Sequence, residues 1–444
     1  MLVLCATPQA ALAFKARFDA AAKAAGVSAA DVAVTTPRAL ALDVMGDAEG
    51  IRWSGREPRL LTDYEKLFLL EDMKASGLRP KRLREMLKFF YRSWTELADD
   101  DEDWLLAGEE SNIHELVKAN LAFTRSILEP ELGNLAVNYL RSHAGARDAH
   151  AFAHVFVDDY QRISKASQLL AGLVARESLT IAGDRVACVE VYDSYPYAAG
   201  LDEFMDAHAG AADVELTECR TCAAGAQATA KLLADPAVES VAFRPADSAT
   251  AGATEVLDFP EPENEFVGVA KRVADAVAEG ASPADVVVAV PNGIWARNIT
   301  KALLAAKVPA HILTDRQPVR GDIRDNARCV PAHVLTALDL VANPENALAW
   351  RCWCGYNDWL ANSSAIANLR TYADEHNEGL VAALRDVLGG AQAVGTGEID
   401  HVVGAKRVAD AHAAGLFVIE AAARLEGSAL LDKLAELVTG EAGA

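Results

Sequence analysis

Short apolar runs alternate with helix-period segments over the first 45 residues. Met1 to Cys5 has a strand pattern, and Pro8 to Ala25 an Ala-rich helical one carrying Leu12, Phe14 and Phe18. Val32 to Thr35 is a second strand, leading into a helix over Pro37 to Met45. Such alternation predicts a parallel sheet with crossover helices. Between about 50 and 150 the pattern becomes helical throughout. Thr62 with Glu65 makes a capping-box signature before Lys66-Leu-Phe-Leu-Leu, and further helices are predicted over about 79–97 and 111–142. Asp99 to Asp103 reads as an exposed acidic loop between them.

Strand–helix alternation resumes with an apolar run at Val155, a helix after Ser164, and Leu179-Thr-Ile-Ala before Gly183-Asp184. A second α/β stretch follows, with helices at 222–234, 264–279 and Trp295 to Ala306. Its strand signals lie at Val238 to Phe243, Glu255 to Phe259, Asp285-Val-Val-Val-Ala-Val290 and His311-Ile-Leu. The rest is helical, interrupted by Gly389, Gly390, Gly395 and Gly397, and no short-period repeat is present.

The richest stretch is His154-Val-Phe-Val-Asp158-Asp159-Tyr-Gln161. Val155, Phe156 and Val157 suit a strand buried on both faces, and the two acids fall at its carboxyl end, where open α/β sheets bind ligands. One reading is a Walker B element holding Mg²⁺ on a nucleotide, and the other is a strand ending in a solvated turn.

Composition narrows the class. At 444 residues and 51% hydrophobic content the chain is globular and long enough for about two to four domains. It shows no basic-apolar leader and no apolar run of about 18 residues, so a cytoplasmic protein without membrane association is expected. A formal charge of −22 argues against general electrostatic coating of nucleic acid. The best basic segment is Arg79, Lys81, Arg82, Arg84, Lys88 and Arg92, interleaved with Phe89, Phe90, Tyr91 and Trp94. Helical spacing of Leu83, Met86, Leu87 and Phe90 favours these aromatics as core, with the cations on a solvated face. Seven cysteines do not make a disulfide framework. Cys219-Arg-Thr-Cys222 and Cys352-Trp-Cys354 are read as reduced thiols in preference to halves of a metal site.

In order and spacing these segments resemble the UvrD/Rep-like superfamily 1 DNA helicases over nearly the whole chain. Leu2-Val-Leu-Cys-Ala-Thr7-Pro-Gln9 is similar to motif Ia and Val34-Thr-Thr36 to the neighbouring strand-contacting element, which implies single-stranded DNA contacts at Thr7, Gln9 and Thr36. Val157-Asp-Asp-Tyr-Gln161 falls at motif II, Gly183-Asp184 at motif III, and Glu215-Leu-Thr-Glu-Cys-Arg220-Thr at motif IV. The resemblance implies ATP and Mg²⁺ as cofactors. Asp158 would be the Mg²⁺ ligand, Asp159 the water-orienting base, Gln161 the γ-phosphate sensor and Arg220 a charge stabiliser, with Gly183 and Asp184 at the nucleotide.

The implied fold is two RecA-like (P-loop NTPase-type) parallel-sheet α/β domains with all-helical insertions, the second incomplete. Residues 1–49 and 151–210 would form domain 1A, 50–150 the 1B-like insertion, 211–345 part of domain 2A, and 346–444 a 2B-like helical region.

Departures from the family bear on activity. The sequence contains no Gly-Lys dipeptide and hence no P-loop, motif Ia already begins at residue 2, and nothing like motifs V and VI follows. Asp159 replaces the catalytic glutamate, and Arg162 the closing acid. Ala187, Cys188 and Glu190 occupy the stretch where motif III carries its glutamine and aromatics. Two functional readings follow: a UvrD/Rep-like ATP-dependent helicase homologue that is inactive as this isolated chain, or a non-catalytic DNA-binding or scaffolding subunit beside a helicase or nuclease partner. A metabolic α/β enzyme is a third, for which no acid–base or nucleophile grouping is evident.

Overall fold

Four short strands, β1 (Leu2–Leu4), β2 (Ala33–Thr35), β3 (Phe152–Val157) and β4 (Ala175–Ile181), make a parallel sheet in the order β2-β1-β3-β4. The structure is a computed structural model, and it describes residues 1–101, 103–105, 108–184, 195–233, 244–313, 319, 321–356, 361–388 and 405–440. Leu4 lies beside Thr35 on one flank and Val157 on the other, and Val157 lies beside Ile181. The carboxyl ends of all four strands are therefore level.

Local chemistry sets the turns leaving that edge. Thr7 and Thr36 are extended, and each hydroxyl accepts the backbone N–H three residues on (Ala10 and Ala39, both 3.2 Å), opening α1 (Pro8–Ala25) and α2 (Pro37–Met45) with proline at the first position. Ser164 caps α9 (Lys165–Leu173) in the same way. Strand alternation then sorts the side chains. Leu2, Leu4, Val155 and Val157 are buried against α2, α9 and α7 (Glu129–Ser142). Val3 and Cys5 face α1. Phe156 is 37% exposed, so β3 is buried on one face and not on both: α1 covers β1 and β2, leaving the same face of β3 largely open among the described residues.

The excursion between β2 and β3 is helical: α3 (Ala48–Ser54), α4 (Glu65–Met73), α5 (Pro80–Glu96), α6 (Glu109–Phe123), α7 and α8 (Ala144–Ala149). Leu83, Met86, Leu87, Phe90 and Trp94 line the buried face of α5, while Arg82 pairs with Glu109 and Arg92 with Glu96 on the exposed one. The acidic run is not simply exposed. Asp99 accepts from Asn134 at 2.6 Å and Asp100 pairs with Arg141 at 2.8 Å, pinning it to α7.

Two compact units are present, Met1–Ala209 with Pro318–Ala444, and Gly210–Gln317. The first unit therefore includes α14 (Asn326–Ala342), which the sequence pattern assigns to the second α/β domain, together with α15 (Ala347–Trp353), α16 (Ala361–His376), α17 (Leu380–Leu388), α18 (Ala405–Ala422) and α19 (Gly427–Thr439). The reason is a shared core. Phe68, Met73, Leu83 and Phe90 pack in one cluster with Cys329, Leu348, Cys352 and Tyr356. Ion pairs join the same pieces: Arg351 with Asp72, Arg324 with Glu71 at 3.0 Å, and Arg59 with both Glu65 and Asp339.

In the second unit, β5 (Glu218–Cys219) and β6 (Arg244–Pro245) pair in parallel around α11 (Ala224–Leu233). Between β4 and this unit lies α10 (Gly200–Ala207). The expected strands at 255–259, 285–290 and 311–313 form no ladder. Val286 to Val290 instead packs one-sidedly, Val288 and Val290 meeting α12 (Pro262–Ala278) and α13 (Gly293–Ala305), with Val287 79% exposed. A valine run fits an extended chain on a helix pair as well as it fits a sheet. The predicted strand at 238–243, the motif III stretch at Ala187 to Glu190 and the Gly389–Gly397 break lie outside the described residues. No helix among the described residues is long and apolar enough to cross a membrane.

Candidate functional site

Because the strand ends are level, the segments that follow them share one rim of the first unit's sheet. Thr7 follows β1, Thr36 follows β2, Asp158 to Gln161 follow β3, and Gly183-Asp184 follow β4.

The acidic turn is tightly built. The Asp158 N–H donates to Leu4 O at 2.9 Å, continuing the ladder by one residue. Asp159 then turns into the left-handed region at φ +54°, and its neighbour Tyr160 donates to Ala182 O at 3.0 Å. A single turn, Tyr160–Arg162, leads to the Ser164 cap.

Asp158 Oδ1 accepts the Asp159 N–H at 3.1 Å. Burial, then repulsion from Asp159, raises its carboxyl above the ordinary range, against the pull of Arg162. Asp159 is engaged on both oxygens, by Arg162 Nη1 at 3.0 Å and Gln161 Nε2 at 3.3 Å. Gln161 is fully buried, and its Oε1 accepts the Asp184 N–H at 3.2 Å. One amide thus ties the turn after β3 to the turn after β4. Gly183 makes room for it, since a Cβ there would stand 2.7 Å from Gln161 Oε1 and 2.8 Å from a Leu201 methyl. Behind the acids lies Cys5, whose thiol is pushed up to about 11 by burial and by both carboxylates.

The patterning of the sequence misses one more element of the rim, Gln168. Buried on α9, its Nε2 donates to Tyr160 O at 2.9 Å and Tyr197 O at 2.8 Å, tying Tyr197 to the acidic turn. A polar side chain among Ala166, Leu170 and Ala171 on an apolar helix face is the signal that marks it.

Beside the turn, an apolar groove of about 280 Å³ runs over the α1 face of the sheet, lined by Val3, Phe14, Phe18, Phe156 and Thr180, with Asp158 at its end. Chemically, the rim carries the carboxylate of Asp158 and, one strand over, that of the exposed Asp184. Asp159, next to Asp158, is neutralised by Arg162, and among the described residues no group of three or more His, Cys, Asp or Glu side chains is arranged to hold a metal ion.

The other predicted residues are placed as follows. The Thr7 and Thr36 hydroxyls each accept one helix-capping N–H, and Gln9 is exposed on the first turn of α1. Arg220 belongs to the second unit, where it is 79% exposed and pairs with Glu218 at 2.8 Å. Cys352 and Cys354 are buried among the helices of the first unit, while Cys219 and Cys222 reach the surface of the second. No family model matches the chain, and no curated protein matches it.

Proposed function

We propose that this chain is a homologue of the UvrD/Rep-like DNA helicases, built on RecA-like α/β units, and that the 444-residue chain alone does not turn over ATP. The observation that supports this reading is the shared rim. Segments that resemble motifs Ia, II and III follow three neighbouring parallel strands, and Gln161 couples the second to the third. That is the placement a sheet-edge ligand site requires.

The same rim argues against a working motor in isolation. Mg²⁺ bound with ATP needs one or two carboxylates plus the phosphates, and the phosphates need a cradle of backbone N–H groups and a lysine. Asp158 can supply one carboxylate. Asp159 is engaged by Arg162, and the sequence has no Gly-Lys dipeptide to begin the cradle. The residues therefore fit part of a Mg²⁺ site and not a complete ATP site, so no hydrolytic step is assigned to them.

The Asp159–Arg162 pair specifically favours a second reading, a non-catalytic DNA-binding or scaffolding subunit working beside a helicase or nuclease partner. Single-stranded DNA is the expected nucleic acid, bound weakly and with a shallow salt dependence.

An ATPase assay with and without single-stranded DNA, paired with melting curves in Mg²⁺-ATP, tests both. Absence of turnover together with stabilisation by single-stranded DNA is the expected result. DNA-stimulated hydrolysis that disappears in Asp158→Ala would sink the non-catalytic reading and establish a motor. If neither ligand shifted the melting temperature, the helicase assignment itself would be sunk.

A further inference from the structure

In the second unit, the first turn of a parallel β-α-β element carries two cysteines. β5 ends on Cys219, Cys222 lies two residues before α11, and β6 returns beside β5. The turn between a strand and its crossover helix is where α/β sheets expose reactive groups.

One hydroxyl lies within reach of both sulfurs. Thr221 Oγ1 stands 3.8 Å from the Cys219 sulfur and 3.8 Å from that of Cys222. The backbone N–H groups of Thr221 and Cys222, then the Thr221 hydroxyl and the Cys222 side chain, favour the thiolate form of Cys219. Each of these donors stabilises a thiolate at Cys219 more than a thiol, which lowers its pKa. Cys222 is exposed and Cys219 partly so, and both are unpaired. The nearest charges cancel in part, since Arg220 and Arg244 both approach Glu218. By contrast, Cys352 and Cys354 lie inside the helical core with their pKa raised by burial, the pattern of inert structural thiols. A metal is a poor fit to the exposed pair, because two thiolates fill half of a tetrahedral site and no third ligand stands with them among the described residues.

We propose that Cys219 and Cys222 form a redox-active dithiol that exchanges with small disulfides, Cys219 attacking and Cys222 resolving. The Cys219 thiolate attacks one sulfur of a disulfide such as oxidised glutathione. The S–S electron pair leaves on the first glutathione thiolate, and a mixed disulfide remains on Cys219. Cys222 gives up its proton and attacks the Cys219 sulfur, expelling the second glutathione thiolate and closing a Cys219–Cys222 disulfide. The protein loses two electrons and two protons, and two glutathione thiols take them up. This site is independent of the reading of the acidic rim.

The test treats the full chain with oxidised glutathione, alkylates remaining thiols and maps the products by mass spectrometry, with circular dichroism to confirm that the Ser variants fold. The wild type is expected to yield the Cys219–Cys222 disulfide, and Cys222→Ser to accumulate glutathione on Cys219. In parallel, Cys219 in Cys222→Ser should alkylate measurably faster at neutral pH than Cys222 in Cys219→Ser. Recovery of both wild-type cysteines as alkylated thiols overturns the proposal, as does equal reactivity of the two single-thiol variants.

Discussion

Removing one partner of the Arg351–Asp72 pair should unfold the first unit more readily than any surface charge change. The guanidinium is 2% exposed and the carboxylate 7%. Arg351 donates to Asp72 through Nε at 2.8 Å and also through Nη2, lies 5.5 Å over the Phe68 ring, and leaves Nη1 without a partner among the described residues. In Asp72→Ala the cation stays in the core with its main counter-charge gone, which costs about 3–5 kcal/mol. In a body of this size each kcal/mol lowers Tm by about 2 °C, so a fall of about 6–10 °C is expected. The double variant Asp72→Ala/Arg351→Met exchanges the pair for an apolar side chain of similar length and should recover most of that loss, since buried pairs are often no more stabilising than well-packed hydrophobes. Thermal melts followed by tryptophan fluorescence report on the region directly, because Trp350 and Trp353 sit in its core. If Asp72→Ala melted within about 1 °C of wild type, or if the double variant were worse than the single, the buried-charge reasoning would be refuted.

Four further expectations can be measured. Burial holds His114 and His333 at about 4, below the ordinary 6.5, so both fold neutral. Because the unfolded chain takes up these protons first, stability should be full above pH 6.5 and fall between pH 6.5 and 4, and His333→Phe should flatten that slope in urea titrations. Gly183→Ala should push against Gln161 and Leu201 and cost about 1–3 kcal/mol in thermal melts. Thr36→Ala should lose about 1 kcal/mol of stability through its cap without weakening single-stranded DNA binding in fluorescence anisotropy, whereas weaker binding at unchanged stability would point to a direct DNA contact. Arg162→Ala should free the Asp159 carboxylate and tighten Mn²⁺ binding about tenfold by calorimetry, if a second nearby anion adds ~1.4 kcal/mol.

How much of this was legible in sequence depended on whether the signal was local. The helix starts at Pro8 and Pro37 carry their own caps in Thr7 and Thr36, so pattern and structure agree there to the residue. The capping box at Thr62 is half realised: Glu65 accepts the Thr62 N–H at 2.7 Å, but the Thr62 hydroxyl donates to the same carboxylate and caps no backbone N–H, because the helix starts only at Glu65. Strand patterns fared worse where pairing partners were needed. A run of valines at 286–290 specifies burial on one side, and nothing within it specifies a neighbouring strand. At the rim, the acids were readable as a motif. Their neutralisation was foreshadowed by Arg162, whereas the pin at Gln168 depends on a chain segment nearly thirty residues away. The attachment of α14 and α15 to the helices after β2 rests on contacts across more than 250 residues, which no local period encodes.

That attachment bears on how the chain is made. Emerging from the ribosome, the first 209 residues can complete the four-stranded sheet, but they leave Phe68, Met73 and Phe90 without the Cys329, Leu348 and Tyr356 surfaces that close their cluster. Asp72 and Glu71 also wait for Arg351 and Arg324. More than a hundred residues of the second unit must be synthesised before either arrives. For that interval the nascent helical lobe presents apolar surface beside an Asp72 carboxylate still without its guanidinium, a state that invites chaperone capture and makes the order of synthesis itself a constraint on folding.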